Sequence, residues 1–443
     1  MSLTVAPTRA VPNSRGTSKA TALSGDKLVT ASIVIATVGS LFSIKLGGRF
    51  AVSNVAQIIA LLAMLRAYPR LLRGRDLALL ALGAGFILVA AISVSVIYDY
   101  QITVTHSLFF ALAAAYLLAI YRACADHGAS DAVALGFRRA IPVALAVLLV
   151  MLTIDLGTGS AKRRLGFDDK SHASVMACFL AFAALRFLNT QRRLLYALAF
   201  FTISLLTISR LPFIFAPAFV IALLLEYRRV RATARTAWQV YSAHLVIGAI
   251  AIAPIVLAQR VGDLFTVFGR VLSPGSNTDA STRAHLLLLD YAAQLKIENF
   301  WNFLFGVTPG GFSGVAVRSR IDLREYAAVD PPGWRKFAVG EAPMHSSLGS
   351  ILLEFPLWVA LVYLGLAVWA LITLLRRREY IIALLLVSFL MATSVYSSHN
   401  ELYFYVVWTA AIAMALRRGS ASTEKHDVAP ARVSDGFPIE RYR

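Results

Sequence analysis

Acidic residues and cysteine are both scarce in this chain. Among its 443 residues, 24 Asp and Glu stand against 43 Lys and Arg, and there are two cysteines. Cys124 lies between two apolar runs and Cys178 lies inside one, so we do not expect the two to form a disulfide. Charged residues of both signs make up only 15% of the chain, which excludes an ordinary soluble protein of this length.

Sequence motifs for metal, nucleotide or serine-hydrolase chemistry are also missing. The eight histidines are scattered along the chain without metal-ligand spacing. The sequence contains neither a Gly-rich nucleotide loop nor a Ser/His/Asp order. We therefore expect no bound metal and no cofactor.

Apolar residues make up most of what is present. The chain is 58% hydrophobic with a mean hydropathy of +0.68, which predicts a polytopic membrane protein. A hydrocarbon core of about 30 Å needs about 20 helical residues to cross it. We therefore expect an all-α transmembrane bundle of about twelve helices, near residues 28–44, 51–67, 77–98, 102–120, 137–155, 172–188, 193–209, 211–226, 240–258, 346–374, 380–396 and 401–416.

Clusters of Lys and Arg predict the orientation of this bundle. On a soluble protein the net charge of +19 would indicate nucleic acid, but here the basic residues recur in alternate short loops, as cytoplasmic loops do. The predicted organisation is a disordered cytoplasmic tail (1–27), nine transmembrane helices (28–258), a long outer loop (259–345), three further transmembrane helices (346–416) and a disordered cytoplasmic tail (417–443).

One long apolar stretch tests this count. A single helix from Arg192 to Arg228 would be about 54 Å long at ~1.5 Å per residue, which is too long for one crossing. A turn at Ser209 and Arg210, with Pro212 in the first turn of the next helix, gives two crossings instead. A single helix would also place the basic triplet 376–378 on the outside.

The outer loop is predicted to contain an amphipathic helix of its own. A cap near residues 279–282 can start a helix that continues to about Trp301. Its apolar residues Leu288, Ala292 and Leu295 fall on one stripe, which suits a helix lying on the membrane or against the bundle. A turn rich in Gly and Pro at 306–314 ends it.

Two arginines at the predicted outer face are candidates for binding an anion. Arg210 lies between apolar runs, where a charge costs a few kcal/mol unless it faces water or a partner; it could bind a diphosphate in an outward cavity or simply extend to the interface. Arg283 lies at the start of the loop helix, where backbone N–H groups favour anions and a guanidinium adds bidentate phosphate contacts. His285 is expected to point elsewhere on that helix.

The outer loop between the fifth and sixth helices is unusually basic. The triplet 162–164 runs against the positive-inside trend, which indicates an anionic ligand. The alternative is a loop in which this triplet pairs with the carboxylates at 168 and 169. The candidate substrate-binding residues in this loop are Arg163, Arg164, Lys170 and His172.

His345, at the end of the long outer loop, is the best-placed candidate for a general base. With an ordinary pKa near 6.5, it can accept a proton from an attacking sugar hydroxyl near neutral pH. A histidine packed for structural reasons is the alternative. Glu354 follows within an apolar stretch, where a buried acid requires a partner, and it is the remaining substrate-binding candidate.

These segments together resemble the O-antigen ligase and polymerase family of membrane glycosyltransferases. The resemblance covers about residues 25–418, with departures from the family pattern at His172, Ser346 and Pro356. The similar segments are Arg164 to Ala173, Ser209–Arg210, Ser281–Thr282–Arg283 with Leu287 to Leu289, Gly306 to Phe312, and Met344 to Leu348 with Leu353 to Pro356.

The resemblance implies a specific reaction in the bacterial inner membrane. The donor would be a glycan on undecaprenyl diphosphate, and transfer would be inverting and independent of metal. Arg210 and Arg283 would hold the diphosphate and stabilise the departing anion, and His345 would activate the acceptor hydroxyl. Membrane lipids, a flippase and a chain-length regulator are the expected neighbours; nucleic acid is not an expected partner.

Three functions remain open at this stage. We favour an O-antigen or exopolysaccharide polymerase, because a ligase requires a particular acceptor, such as lipid A core, that the sequence does not demonstrate. A transporter or flippase without chemistry is the third, although transporters more often show internal repeats and charges near the membrane midplane.

Overall fold

The computed structural model describes residues 15–43, 45–47, 50–100, 105–158, 164–167, 169–188, 193–233, 280–340, 342, 344–396 and 401–417. Two short antiparallel strands, β1 (Lys45–Gly47) and β2 (Phe50–Ala51), form a hairpin. Helices form almost all the remaining regular structure: α1 (Arg15–Gly39), α2 (Val52–Ala67), α3 (Gly74–Tyr98), α4 (Thr105–His127), α5 (Ser130–Gly157), α6 (Lys170–Phe187), α7 (Arg193–Leu206), α8 (Leu211–Thr233), α9 (Ala280–Glu298), α10 (Phe300–Phe305), α11 (Phe312–Arg318), α12 (Arg324–Val329), α13 (Pro331–Ala338), α14 (Ser347–Glu354), α15 (Leu357–Arg376), α16 (Tyr380–Val395) and α17 (Leu402–Leu416).

Several of these helices could cross a membrane. Of the described helices, five are long and apolar enough to do so, within α3, α4, α5, α8 and α15, and four shorter ones, α2, α7, α16 and α17, are also apolar. The chain is therefore a helical, multi-pass membrane protein. The predicted span at 240–258 lies outside the described residues, and the total of about twelve crossings stays a prediction.

Helices α6 and α17 form the centre of the bundle. Every residue from Ala173 to Leu185 and from Leu402 to Ala415 is buried. Many of these residues are alanine, which allows neighbouring helices to approach closely. Helix α6 packs against α7 and α8, and α17 packs against α4, α5 and α15. The residues at the ends of these two helices are consequently held in fixed positions.

Two predicted boundaries differ from the structure. Residues 15–27, assigned to a disordered tail, belong to α1; polarity marks where a helix leaves the hydrocarbon, not where the helix begins. The predicted single helix over 346–374 is wrong, because α14 ends at Glu354 and α15 begins at Leu357. Pro356 causes this break, since proline lacks an N–H and disfavours helical geometry at the preceding residue.

The predicted hairpin between the seventh and eighth helices is confirmed. Helix α7 ends at Leu206 and α8 begins at Leu211. Ile208 has a positive φ of 56°, and the Leu211 N–H donates to Ser209 Oγ over 3.3 Å. Arg210 therefore lies in a tight turn at one end of the bundle.

The described part of the long outer loop, residues 280–340, builds a small core of its own. The predicted apolar stripe of α9 is buried there, with Leu288, Ala292 and Leu295 packed among residues of α11, α12 and α13. Sequence reasoning did not foresee these last three helices. Tyr98, at the end of α3, joins this unit to the bundle: its hydroxyl donates to Glu298 Oε2 (2.9 Å) and accepts from Asn302 Nδ2 (2.7 Å).

Candidate functional site

Four of the eight predicted site residues, Lys170, His172, Arg210 and His345, lie at one end of the bundle. This outer cluster, as we call it, combines the start of α6, the α7–α8 turn, the junction of α16 and α17, and the start of α14. Helix α9 contacts it through His285. The elements carrying these residues are distant in sequence, and contacts between the helix ends bring them together.

Lys170 connects the start of α6 to the arginine turn. Its ammonium donates to the carbonyl oxygen of Ile208 over 2.8 Å, two residues before Arg210. The preceding residue, Asp169, caps α6 by accepting from the Ser171 N–H over 2.6 Å. Burial acts to raise the pKa of the Asp169 carboxyl, but hydrogen bonds from Ser171 and the charge of His172 outweigh it and hold that pKa low.

His172 lies in the first turn of α6, among groups from the α16–α17 junction. Its Nδ1 is 2.7 Å from the Tyr403 hydroxyl, and its Nε2 is 4.0 Å from Glu401 Oε1. The ring meets the Tyr396 ring edge-on, with centroids 5.0 Å apart. Ser43 also donates to Glu401, over 2.8 Å, so this part of the cluster is a connected polar network.

His345 lies directly before α14, which two serines hold in place. Ser346 caps α14 by accepting from the Gly349 N–H over 2.9 Å. The Ser347 N–H donates to the Tyr396 carbonyl oxygen over 3.2 Å. Since Tyr396 also hydrogen-bonds Asp169, these contacts connect His345 to the start of α6.

The imidazole of His345 stacks on that of His285 from α9. The ring centroids are 4.8 Å apart and the planes are inclined by 15°. This contact was not foreseen from the sequence, although the expectation that His285 and Arg283 point in different directions agrees with it. Positions 283 and 285 lie on different faces of a helix, so it is His285, and not Arg283, that α9 packs onto the candidate base.

Electrostatics keep His345 in the neutral form that a base requires. His345 lies outside the membrane-spanning helices, and burial lowers its pKa below the ordinary value of 6.5. The carboxylates of Asp330 and Asp169 oppose this effect, and the charge of Lys336 adds to it. A neutral imidazole near pH 7 can accept a proton.

Arg283, which is also on α9, forms an exposed ion pair with Glu325 of α12. Its Nη2 and Nε lie 2.5 and 3.1 Å from Glu325 Oε1. Both side chains are about half exposed, 53% and 50%. An exposed pair of this kind contributes only about 0–1 kcal/mol, so a doubly charged anion can displace Glu325.

The three remaining candidate arginines differ in their surroundings. Arg210 is half-buried, and its carbonyl oxygen accepts from the Phe213 N–H at the start of α8. Arg164 is exposed at the edge of a turn whose next residue, Leu165, donates its N–H to Asp155 over 2.9 Å. Arg163 and Asp168 lie outside the described residues. The alternative in which the basic triplet pairs with the carboxylates at 168 and 169 therefore stays a prediction.

Glu354 does not belong to the outer cluster. It lies at the opposite end of α14, roughly 10 Å along the helix at ~1.5 Å per residue, and its side chain is only 3% exposed. Its pKa is raised to about 7. Burial causes this rise, and hydrogen bonds from the backbone N–H groups of Gly310 and Phe312 oppose it without cancelling it. Glu354 therefore supports the glycine-rich turn at the start of α11.

Lys296 of α9 contacts the chain just after Glu354. Its ammonium donates to the carbonyl oxygen of Phe355 over 3.0 Å, at the break between α14 and α15. Burial lowers its pKa to about 8. This lysine therefore fixes the position of α14 and, through it, of His345.

Sequence reasoning missed several members of the outer cluster. Tyr396, Glu401 and Tyr403 carry little signal in the sequence, because the loop at 396–401 is short and nearly uncharged. An acid such as Glu401 at the mouth of an apolar helix is costly without a partner, and that cost was the available signal. Across the described residues, no three His, Cys, Asp or Glu side chains are placed to hold a metal ion.

Comparison with known proteins adds no family to this picture. No protein-family model matches the chain, and a search of curated proteins finds no match. The resemblance to O-antigen ligases and polymerases therefore stays a prediction that rests on the residues named above.

Proposed function

We propose that the chain is an envelope polysaccharide polymerase, which transfers a glycan from undecaprenyl diphosphate to an acceptor sugar hydroxyl at the outer face of the bacterial inner membrane. The observation that supports this most strongly is the meeting of Lys170, His172, the Arg210 turn and His345 at one end of the bundle. Transfer from a diphosphate donor requires positive charge for the leaving group and a base for the acceptor, and this end of the bundle carries both.

In the proposed reaction His345 acts as general base. The acceptor oxygen forms a bond to the anomeric carbon of the donor sugar, and the bond from that carbon to the diphosphate oxygen breaks. The acceptor proton passes to His345, and the electron pair leaves with the diphosphate. Attack from the face opposite the leaving group inverts the anomeric configuration.

The cations would stabilise the departing diphosphate. Arg210 is fixed by its turn, and Lys170 is fixed by the Ile208 carbonyl oxygen. Preorganised positive charge of this kind stabilises a transition state without reorganisation during the reaction. Arg283 would join them on donor binding by leaving Glu325. Glu354, which is buried, would act on the site only through α14.

Arg283 should bind the donor in competition with Glu325. We expect Glu325→Gln to tighten donor binding by up to about fivefold, the equivalent of ~1 kcal/mol for an exposed pair. We expect Arg283→Lys to weaken donor binding, because an ammonium lacks the planar two-pronged geometry that matches phosphate. Titration of the purified protein with a polyprenyl-diphosphate glycan measures both. Equal affinities for all three proteins would contradict diphosphate recognition at Arg283.

The pH dependence of transfer should report the environment of His345. Because burial lowers its pKa, kcat/KM should fall only at pH values below about 6.5, the ordinary histidine value. Lys336→Gln removes a charge that lowers this pKa, so the acid limb should move to higher pH. The exposed Arg324→Gln on α12 serves as control. A limb that does not respond to Lys336→Gln would argue against His345 as the titrating group.

The glycans of cells that lack the gene, compared with complemented cells, test the proposed function. Single repeat units without polymer, restored by the complementing copy, are the result we expect. Long chains that remain on the lipid carrier and are missing from the surface would instead make the protein a ligase. Donor trapped on the cytoplasmic side would make it a transporter.

A further inference from the structure

A polar cleft of about 520 Å³ opens at the end of the bundle opposite the outer cluster. The two ends are separated by α6, whose 18 residues extend roughly 27 Å at ~1.5 Å per residue. The cleft is lined by the end of α6, the end of α8, the α15–α16 turn and the residue after α17: Arg186, Leu225, Glu226, Arg378, Glu379, Tyr380, Ile381 and Arg417.

Most of the charges in this cleft are already compensated. Arg186 makes two bonds to Glu379, of 2.5 and 2.6 Å. Glu226 forms an ion pair with Arg193, and Arg417 lies 2.9 Å from Asp131. Within the part of the chain that the structure describes, no carboxylate pairs with Arg378. Among the described residues, Arg378 is therefore the one guanidinium lining the cleft for which no carboxylate partner is found.

Arg378 also occupies a backbone position that favours glycine. It lies in the turn that ends α15, with a φ of 59°, and its N–H donates to the Leu375 carbonyl oxygen over 3.0 Å. Glycine adopts this left-handed geometry without the steric cost that other residues bear. The turn itself gains nothing from arginine at this position. The charge of the triplet 376–378 is typical of a cytoplasmic loop, and at Arg378 the same charge is available to an anion in the cleft.

The residues around Arg378 are of the types that concentrate at membrane surfaces. Tyr380, at 45% exposure, lies two residues along, and tyrosine concentrates at the level of lipid headgroups. The neighbouring Arg376 and Arg377 are exposed as well. Basic pockets between transmembrane helices on the cytoplasmic side bind anionic headgroups.

From these observations we infer that the cleft binds a phosphate group through Arg378, with an anionic phospholipid of the membrane as its source. The headgroup phosphate lies against the Arg378 guanidinium, and its acyl chains extend along the apolar surfaces of α8 and α16. The site is independent of the glycosyl-transfer chemistry proposed above.

The test uses the full-length protein in detergent with equal amounts of phosphatidylglycerol and phosphatidylcholine. Native mass spectrometry counts the lipids that remain bound. The wild type should retain phosphatidylglycerol preferentially, and Arg378→Gly should reduce that preference about fivefold, since a basic residue near the surface contributes ~1 kcal/mol toward an anionic lipid. Thermal stability should stay equal or rise, because glycine suits the backbone.

Arg70→Gly is the matched control. Arg70 also has a positive φ, of 68°, is exposed in the α2–α3 turn and does not line the cleft. It should leave lipid retention unchanged. Equal retention of both lipids, or equal losses in the two variants, would overturn the proposal. Binding of inorganic phosphate without a lipid preference would keep the phosphate site and overturn its assignment to a lipid.

Discussion

Replacing His345 with alanine is expected to lower glycosyl transfer by about 100-fold to 10,000-fold, the usual contribution of a general base, while the protein still inserts and accumulates. The side chain precedes α14 and does not form its cap, which Ser346 provides. The fold should therefore persist when the imidazole is removed. Single-turnover transfer by purified protein measures the chemical step separately from donor binding.

His285→Ala provides the matched control for this experiment. It removes the ring that stacks on His345 at 4.8 Å but leaves the base in place. We expect a loss of less than about tenfold, since an aromatic contact contributes roughly 0.5–1.5 kcal/mol. Wild-type turnover by His345→Ala would contradict the assignment of the base. A large loss in His285→Ala alone would transfer the role to His285.

Gly306→Ala is expected to destabilise the protein by about 2–6 kcal/mol. Gly306 has φ 77° and ψ −177°, a region almost exclusive to glycine that costs other residues roughly 1–3 kcal/mol. A Cβ there would also lie 2.6 Å from the backbone carbon and oxygen of Glu354, and backbone atoms cannot move aside as side chains can. Overpacking of this kind typically adds ~1–3 kcal/mol.

Gly128→Ala separates the two causes. Gly128 also has a positive φ, of 69°, but no atom lies within 4 Å of the position that its Cβ would take. Its substitution should cost only about 1 kcal/mol. Thermal unfolding in detergent measures both variants. A Gly306→Ala protein as stable as Gly128→Ala would contradict the close packing of the glycine-rich turn on α14.

The transmembrane helices could be predicted from the sequence because hydropathy and span length act locally. The hairpin at Ser209–Arg210 followed from length alone, since one helix from residue 192 to 228 cannot fit a bilayer. The break at Pro356 was also local, but the apolar residues on both sides hid it. The role of Glu354 depends on the turn 306–312, which packs there only in the folded chain.

The membership of the outer cluster was harder to predict, because it depends on which helix ends meet. Basic residues and His345 were identified by their polarity in apolar surroundings, a signal that each carries in sequence. His285 carried no such signal, since its importance comes from the docking of α9 onto the bundle. The pairing of Arg283 with Glu325 is likewise a tertiary contact between helices that are distant in sequence.

Reconstituted transfer tests the central claim most directly. Purified protein in vesicles is supplied with a glycan on undecaprenyl diphosphate, and the released lipid diphosphate and the lengthened glycan are quantified together. We predict one lipid diphosphate released for each repeat unit added, with both products lost in His345→Ala. Neither product from wild-type protein that is folded and supplied with donor and acceptor, or equal yields from His345→Ala, would contradict the account.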